Sequence, residues 1–106
     1  MKRTDYCGKL GEKDVGRVVC ACGWVQTKRD MGGVVFIDIK DREGALQVVF
    51  NSGAMSPEDF AAGEGLKNQT VISVCGEIRL RDAETVNPRI ETGTIELMAR
   101  EIEVLS

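Results

Sequence analysis

A chain of 106 residues, 42% hydrophobic and 29% charged, has the size and composition of one folded domain around a single core, which excludes disordered and fibrous classes. Its net charge of −3 argues against a sequence-blind nucleic-acid binder that works through a net positive field, so any such contact must be local. The longest apolar runs, such as Val18 to Ala21 and Val34 to Ile37, fall far short of the ~20 residues a membrane helix needs, and no apolar signal core opens the chain.

The expected compartment is therefore the cytoplasm, with no membrane partner. Met1 to Asp14 lacks clear periodicity and reads as a lead-in with one helical turn, ahead of a single domain over residues 15–106. From Val15 to about Lys28 the chain is β-rich and both residue sets are apolar, Val18, Cys20, Cys22 and Trp24 against Val19, Ala21, Gly23 and Val25. A strand of that kind is central or sharply bent, and Gly23 is the natural place for a bend or bulge. A long coiled first strand is what a small closed barrel requires. Trp24, beside Gly23, is expected in the core.

A Gly32-Gly33 turn joins this strand to a second, in which Val35, Ile37 and Ile39 share one face and Phe36, Asp38 and Lys40 the other. Phe36 thus lands among polar residues, close to Lys28 and Arg29. That arrangement suits stacking an unpaired base while holding its phosphates, but the hairpin alone favours the plainer reading, that a barrel partly buries both faces and Phe36 is core. A second turn at Asp41 to Gly44 leads to a third strand, Ala45 to Asn51, in which Gln47 shares the outer face with Phe36 if the apolar faces stay together.

Ser56-Pro57-Glu58-Asp59 is a helix start, with Ser as N-cap, Pro at the first helical position and acids in the first turn. The helix is short, ragged at Gly63 and Gly65, and reads as a plug built on Phe60, Ala61 and Leu66. A fourth strand runs from Gln69 or Thr70 to Arg81, with Ile72, Val74, Ile78 and Leu80 alternating against a polar side that carries Arg79 and Arg81. Asn87-Pro88 marks a turn, and the last strand spans about Gly93 to Leu105, with Glu96 and Met98 opposite Ile95 and Leu97. Five strands with one short helix between the third and fourth describe an all-β OB-fold, a five-stranded Greek-key barrel.

The blocks Tyr6-Cys7-Gly8, Cys22-Gly23-Trp24-Val25, Arg29-Asp30, Phe36-Ile37-Asp38, Asp41-Arg42-Glu43-Gly44, Leu46-Gln47-Val48-Val49-Phe50, Arg79 with Arg81, Asn87, and Thr92-Gly93 before Ile95-Glu96 occur in order across nearly the whole chain. Together they resemble the N-terminal anticodon-binding domain of bacterial-type aspartyl-tRNA synthetases. The resemblance implies a domain that docks on the anticodon stem-loop of a tRNA, splays its bases and reads them. It implies that Phe36 stacks on an anticodon base, that Arg29 and Gln47 hydrogen-bond base edges at a central uridine, and that Glu96 lies near the first base. Arg79, Arg81 and Asn87 are implied near the third base and adjacent backbone, with Lys28 and Met31 beside the reading residues. Where the family commonly has three basic residues before the Asp, Thr27 precedes Lys28 and Arg29, which weakens the backbone grip.

By the same resemblance, the intact protein is an ATP-dependent ligase and a homodimer. Its catalytic domain, with ATP and Mg, is expected to be separate from this chain, which itself takes no cofactor and catalyses nothing. Asparagine and lysine synthetases of the same class are the neighbouring alternatives. An OB-fold that binds a protein or oligosaccharide is the alternative from another class, because fold alone does not choose a ligand.

The remaining polar groups have plainer readings. Asp38, Asp41 and Glu43 lie in a charged turn with Lys40 and Arg42 and are expected to be salt-bridged rather than catalytic. Arg79 and Arg81 could equally be a solvated strand face paired with Glu77. Cys7, Cys20, Cys22 and Cys75 come without histidine or a C-x-x-C pair, so no metal site is expected and all four are read as reduced thiols.

Overall fold

The computed structural model describes residues 2–106. Strands β1 (Val18–Asp30), β2 (Val34–Asp41), β3 (Gly44–Asn51), β4 (Val71–Leu80) and β5 (Ile95–Val104) close into a barrel in the order β1-β2-β3-β5-β4, with helix α1 (Pro57–Glu64) between β3 and β4. This is the five-stranded OB-fold barrel expected. Its neighbours are antiparallel except β3 and β5, which run parallel through Val48 beside Leu97 and Val49 beside Met98. Among the described residues no helix is long and apolar enough to cross a membrane.

Strand β1 serves two partners: Val18 to Trp24 pair with β4, and Trp24 to Asp30 pair with β2. Gly23 lies where the strand crosses β2 closely, since a Cβ there would sit 2.6 Å from the Lys40 carbonyl oxygen. The bulge itself falls between Val25 and Thr27 rather than at Gly23, and it leaves Gln26 outside the pairing. The inner set of β1 is Val19, Ala21, Gly23 and Val25, so Trp24 points outward and is 36% exposed rather than in the core. Leu80 is also exposed, because β4 runs past the core after Ile78.

The core is filled by Val25, Ile37, Ile39, Leu46, Val48, Phe50, Ile72, Val74, Ile78, Ile95 and Leu97, and the lead-in adds Cys7 and Leu10 from beside its two 3-10 turns. Helix α1 starts as its sequence predicts, with Ser56 Oγ accepting from the Asp59 N–H at 3.1 Å and Pro57 leading the first turn. It plugs the barrel through Phe60 and Leu66, and Gly63 lets it lie against the Phe50 ring, where a Cβ would meet Cγ and Cδ2 at 2.9 Å.

Cys20 and Cys75 form a disulfide, which corrects the expectation of four reduced thiols. They are directly opposed across β1 and β4, with Cα atoms 4.0 Å apart, although 55 residues separate them along the chain. Closure of the barrel makes them neighbours. Cys7 and Cys22 remain thiols, and burial, with Asp41 beside it, pushes the Cys7 thiol well above its ordinary range.

Asp41 is not the salt-bridged turn acid expected. It is buried, and its carboxylate accepts from three backbone N–H groups, those of Cys7 at 2.6 Å, Glu43 at 2.9 Å and Gly44 at 3.2 Å. One side chain thus ties the β2–β3 turn to the lead-in. Replacing Asp41 with Ala strands the buried Cys7 N–H and removes the acceptor of the two part-buried turn donors, and chemical denaturation is expected to show a loss of about 3 kcal/mol.

Asp14 anchors the lead-in from its other end, accepting from Lys13 Nζ and Arg17 Nη1 at 2.7 Å each and from the Gly11 N–H at 2.9 Å. Lys13 first, then Arg17 and Gly11, lower its pKa from 3.8 to about 2 against the opposing effect of burial. A carboxylate whose folded pKa is depressed contributes stability that is fully present above about pH 4 and lost as pH falls towards 2. In acid titrations followed by circular dichroism, the stability gap between wild type and Asp14→Asn is therefore expected to narrow over that window.

Candidate nucleic-acid interface

The β1 bulge decides which basic residue faces the aromatic ring. A regular strand continuing from the Val25–Ile39 pair would set Lys28 opposite Phe36; the extra residue moves Arg29 there and puts Lys28 opposite Ile37. Phe36 is half-buried on the outer face, as its alternation predicts, and the Arg29 guanidinium carbon lies 5.1 Å from the ring centroid. Thr27, Lys28, Arg29, Phe36, Ile37 and Asp38 line a cleft of about 360 Å³. Arg29 is exposed at the mouth of this cleft.

Next along this face, β3 sets Gln47 opposite Asp38 and Val49 opposite Phe36. Gln47 lies on the outer side as expected, yet it is only 7% exposed, because β5 and the β4–β5 loop cover it. Its Nε2 donates to Glu96 Oε1 at 2.8 Å, and its Oε1 accepts from Arg81 Nη1 at 3.3 Å. Glu96 is half-buried at the edge of the patch. Asp38, read from sequence as a turn acid, accepts from Thr27 Oγ1 at 2.8 Å inside the same patch; its place on the Phe36 face was the available signal.

Arg81 corrects the reading of two outward arginines. It follows the end of β4 and turns under the β4–β5 loop, where it is 8% exposed and donates to the carbonyls of Ile95 at 2.8 Å and Thr85 at 3.0 Å. Burial lowers its pKa, an effect opposed by Asp38 and then Glu96 and reinforced by Arg29, so all four charges are within electrostatic reach of one another. Arg79 is exposed, directly across from Glu96 in the β4–β5 register. The partner of Glu77 is Arg100, at 3.3 Å, rather than either of these arginines.

Three further residues of the sequence reading stand at the margin. Lys28 lines the cleft beside Phe36 and also donates to the carbonyls of Glu64 and Leu66 at the end of α1 and just beyond it. Asn87 folds the β4–β5 loop: its Oδ1 accepts from the Arg89 N–H at 3.0 Å and its own N–H donates to the Gly93 carbonyl at 3.0 Å. Met31 is 63% exposed at the β1–β2 tip, beside Gly32 and Gly33, whose φ values of 69° and 75° favour glycine. No group of acidic, histidine or cysteine side chains that could hold a metal ion occurs among the described residues.

A family of OB-fold nucleic acid binding domains, the tRNA anti-codon family, matches residues 19–105. The chain belongs to this family. It is 47% identical over all 106 residues to the aspartate–tRNA(Asp/Asn) ligase of Caldanaerobacter subterraneus, and 46% identical over 104 residues, 98% of the chain, to that of Bacillus subtilis. The chain spans only 18% and 17% of those relatives' lengths. Among solved structures, an aspartyl-tRNA synthetase from Entamoeba histolytica superposes with a TM-score of 0.84 at 19% identity, over 99% of this chain and 21% of that one. The OBody AM3L09, solved bound to hen egg-white lysozyme, superposes with a TM-score of 0.83 at 25% identity, over 100% of this chain and 97% of its own.

Within this anti-codon family member, Lys28 ties β1 to the segment at the end of α1. Removing its ammonium in Lys28→Met leaves the last carbonyls of α1 without this donor and is expected to lower the unfolding free energy by about 1 kcal/mol in urea.

Proposed function

We propose that this chain is the anticodon-reading module of an aspartate–tRNA ligase, binding the anticodon stem-loop while ligation is carried out by another part of the intact enzyme. The observation that carries the reading is the convergence on one outer face of a half-buried ring, an exposed guanidinium over it and an amide held between two charged groups. Each supplies a separate need of reading an unstacked base. Phe36 offers a π-face, which any base can use, at ~1–3 kcal/mol per stacked base. Gln47 presents a donor and an acceptor, which suit the N–H and C=O groups of a uracil edge. Arg29 adds donors and positive charge where the overall charge of −3 gives none. Relatives named as ligases for tRNA(Asp/Asn) support the same assignment.

In this reading Arg79 and Glu96 lie beside the neighbouring bases, Met31 at the loop's approach, and Asn87 shapes the loop that closes over the patch. The domain needs no cofactor; ATP and Mg belong with the ligation step. The OBody shows that such a barrel can also carry a protein-binding face, so shape alone does not choose the partner. Salt dependence does: RNA affinity must fall steeply with ionic strength.

The deciding measurement is binding of stem-loops that differ only in the central anticodon base. Phe36→Ala is expected to weaken all of them by about tenfold or more, whereas Gln47→Ala is expected to erase the preference for a central uridine. Equal, salt-insensitive binding by wild type and both variants would overturn the proposal.

A further inference from the structure

Arg81 combines features that a surface phosphate contact does not explain. It is 8% exposed, no carboxylate lies within ion-pair distance among the described residues, and its Nη2 is fully buried without a hydrogen-bond partner. A guanidinium held this way costs free energy, so the fold tolerates it for something it does. What it touches on the site side is the amide of Gln47.

A glutamine amide has two orientations that are nearly equal in shape and opposite in hydrogen bonding. Here the two neighbours are chemically one-sided. Arg81 can only donate, so it requires the oxygen on its side; Glu96 as a carboxylate can only accept, so it requires the nitrogen on its side. Reversing the amide would set N–H against N–H and oxygen against oxygen. The donor and acceptor that Gln47 has left over therefore occupy set positions at the patch.

We propose that Arg81 is a positioning residue for base selection, which with Glu96 locks the Gln47 amide in one orientation and thereby decides which base edge the site accepts. It acts on the base through Gln47 rather than by contact, as its burial requires. The inference rests on the anticodon-reading proposal above, and deepens it by moving the origin of base choice one residue further from the ligand.

The test uses this chain and stem-loops with a central uridine or cytidine, in wild type, Arg81→Lys, Arg81→Met, Glu96→Gln, Gln47→Ala and the Gln47→Ala/Arg81→Met double variant. Arg81→Lys keeps a donor-only partner and is expected to retain the preference. Arg81→Met removes the donor that holds the amide oxygen, and Glu96→Gln, whose new amide can donate as well as accept, relaxes the demand on the nitrogen; each leaves one of the two constraints in place, so each is expected to reduce the uridine-to-cytidine affinity ratio without abolishing it. On the Gln47→Ala background Arg81→Met is expected to leave the ratio unchanged. A ratio undiminished in folded Arg81→Met, or reduced further in the double variant, overturns the inference while leaving anticodon reading intact. If Arg81→Met does not fold, an undiminished ratio in Glu96→Gln overturns it instead. A wild type with no preference between the two loops overturns the reading on which it rests, and the inference with it.

Discussion

One strand working for two neighbours closes this molecule. β1 pairs with β4 through its first half and β2 through its second, and Trp24 is the residue common to both ladders. A flat strand cannot do this. The change of direction is taken up by Gly23, whose missing side chain lets the backbone of Lys40 pass, and by Gln26, the extra residue of the bulge. From that bend follow both the closure that opposes Cys20 to Cys75 and the phase of the strand beyond it, which carries the functional face.

The phase matters because a strand alternates sides with every residue. The one-residue bulge sends Arg29 to the ring of Phe36 and Lys28 to the end of α1. Two adjacent basic residues thereby acquire different partners, the Phe36 ring for Arg29 and the carbonyls at the end of α1 for Lys28. A similar division occurs at the end of β4, where Arg79 stays in solvent and Arg81 turns inward. In both pairs the neighbouring backbone, rather than the residue type, sets the task.

Charge at the patch is local and balanced. Arg29 and Arg81 face Asp38 and Glu96, so the site offers directional donors and acceptors more than a broad positive field. That suits the proposed reading of unpaired bases by an acidic chain, in which selection would come from edges and stacking and phosphate attraction would supply only part of the affinity. The buried Gln47 network also joins β3, β5 and the β4–β5 loop, so one set of hydrogen bonds both orders the site and packs the loop over the barrel.

Strand number and order of appearance, the two turns around β2, the Ser56 cap and the outward side of Phe36 were all legible in the sequence, because they depend on local periodicity and on what glycine, proline and serine do to the backbone. The resemblance of the residue blocks pointed to the same face. What local pattern could not carry were relations between segments far apart in the chain. Only the closed barrel brings Cys20 to Cys75, lays the β4–β5 loop over Arg81 and encloses Gln47 between a cation and a carboxylate. Only the ladder with β2 shows that the irregularity is at Gln26 and not Gly23, and that Trp24 faces solvent. Alternation along one strand says which residues share a side; whether that side is covered depends on what the rest of the chain lays over it.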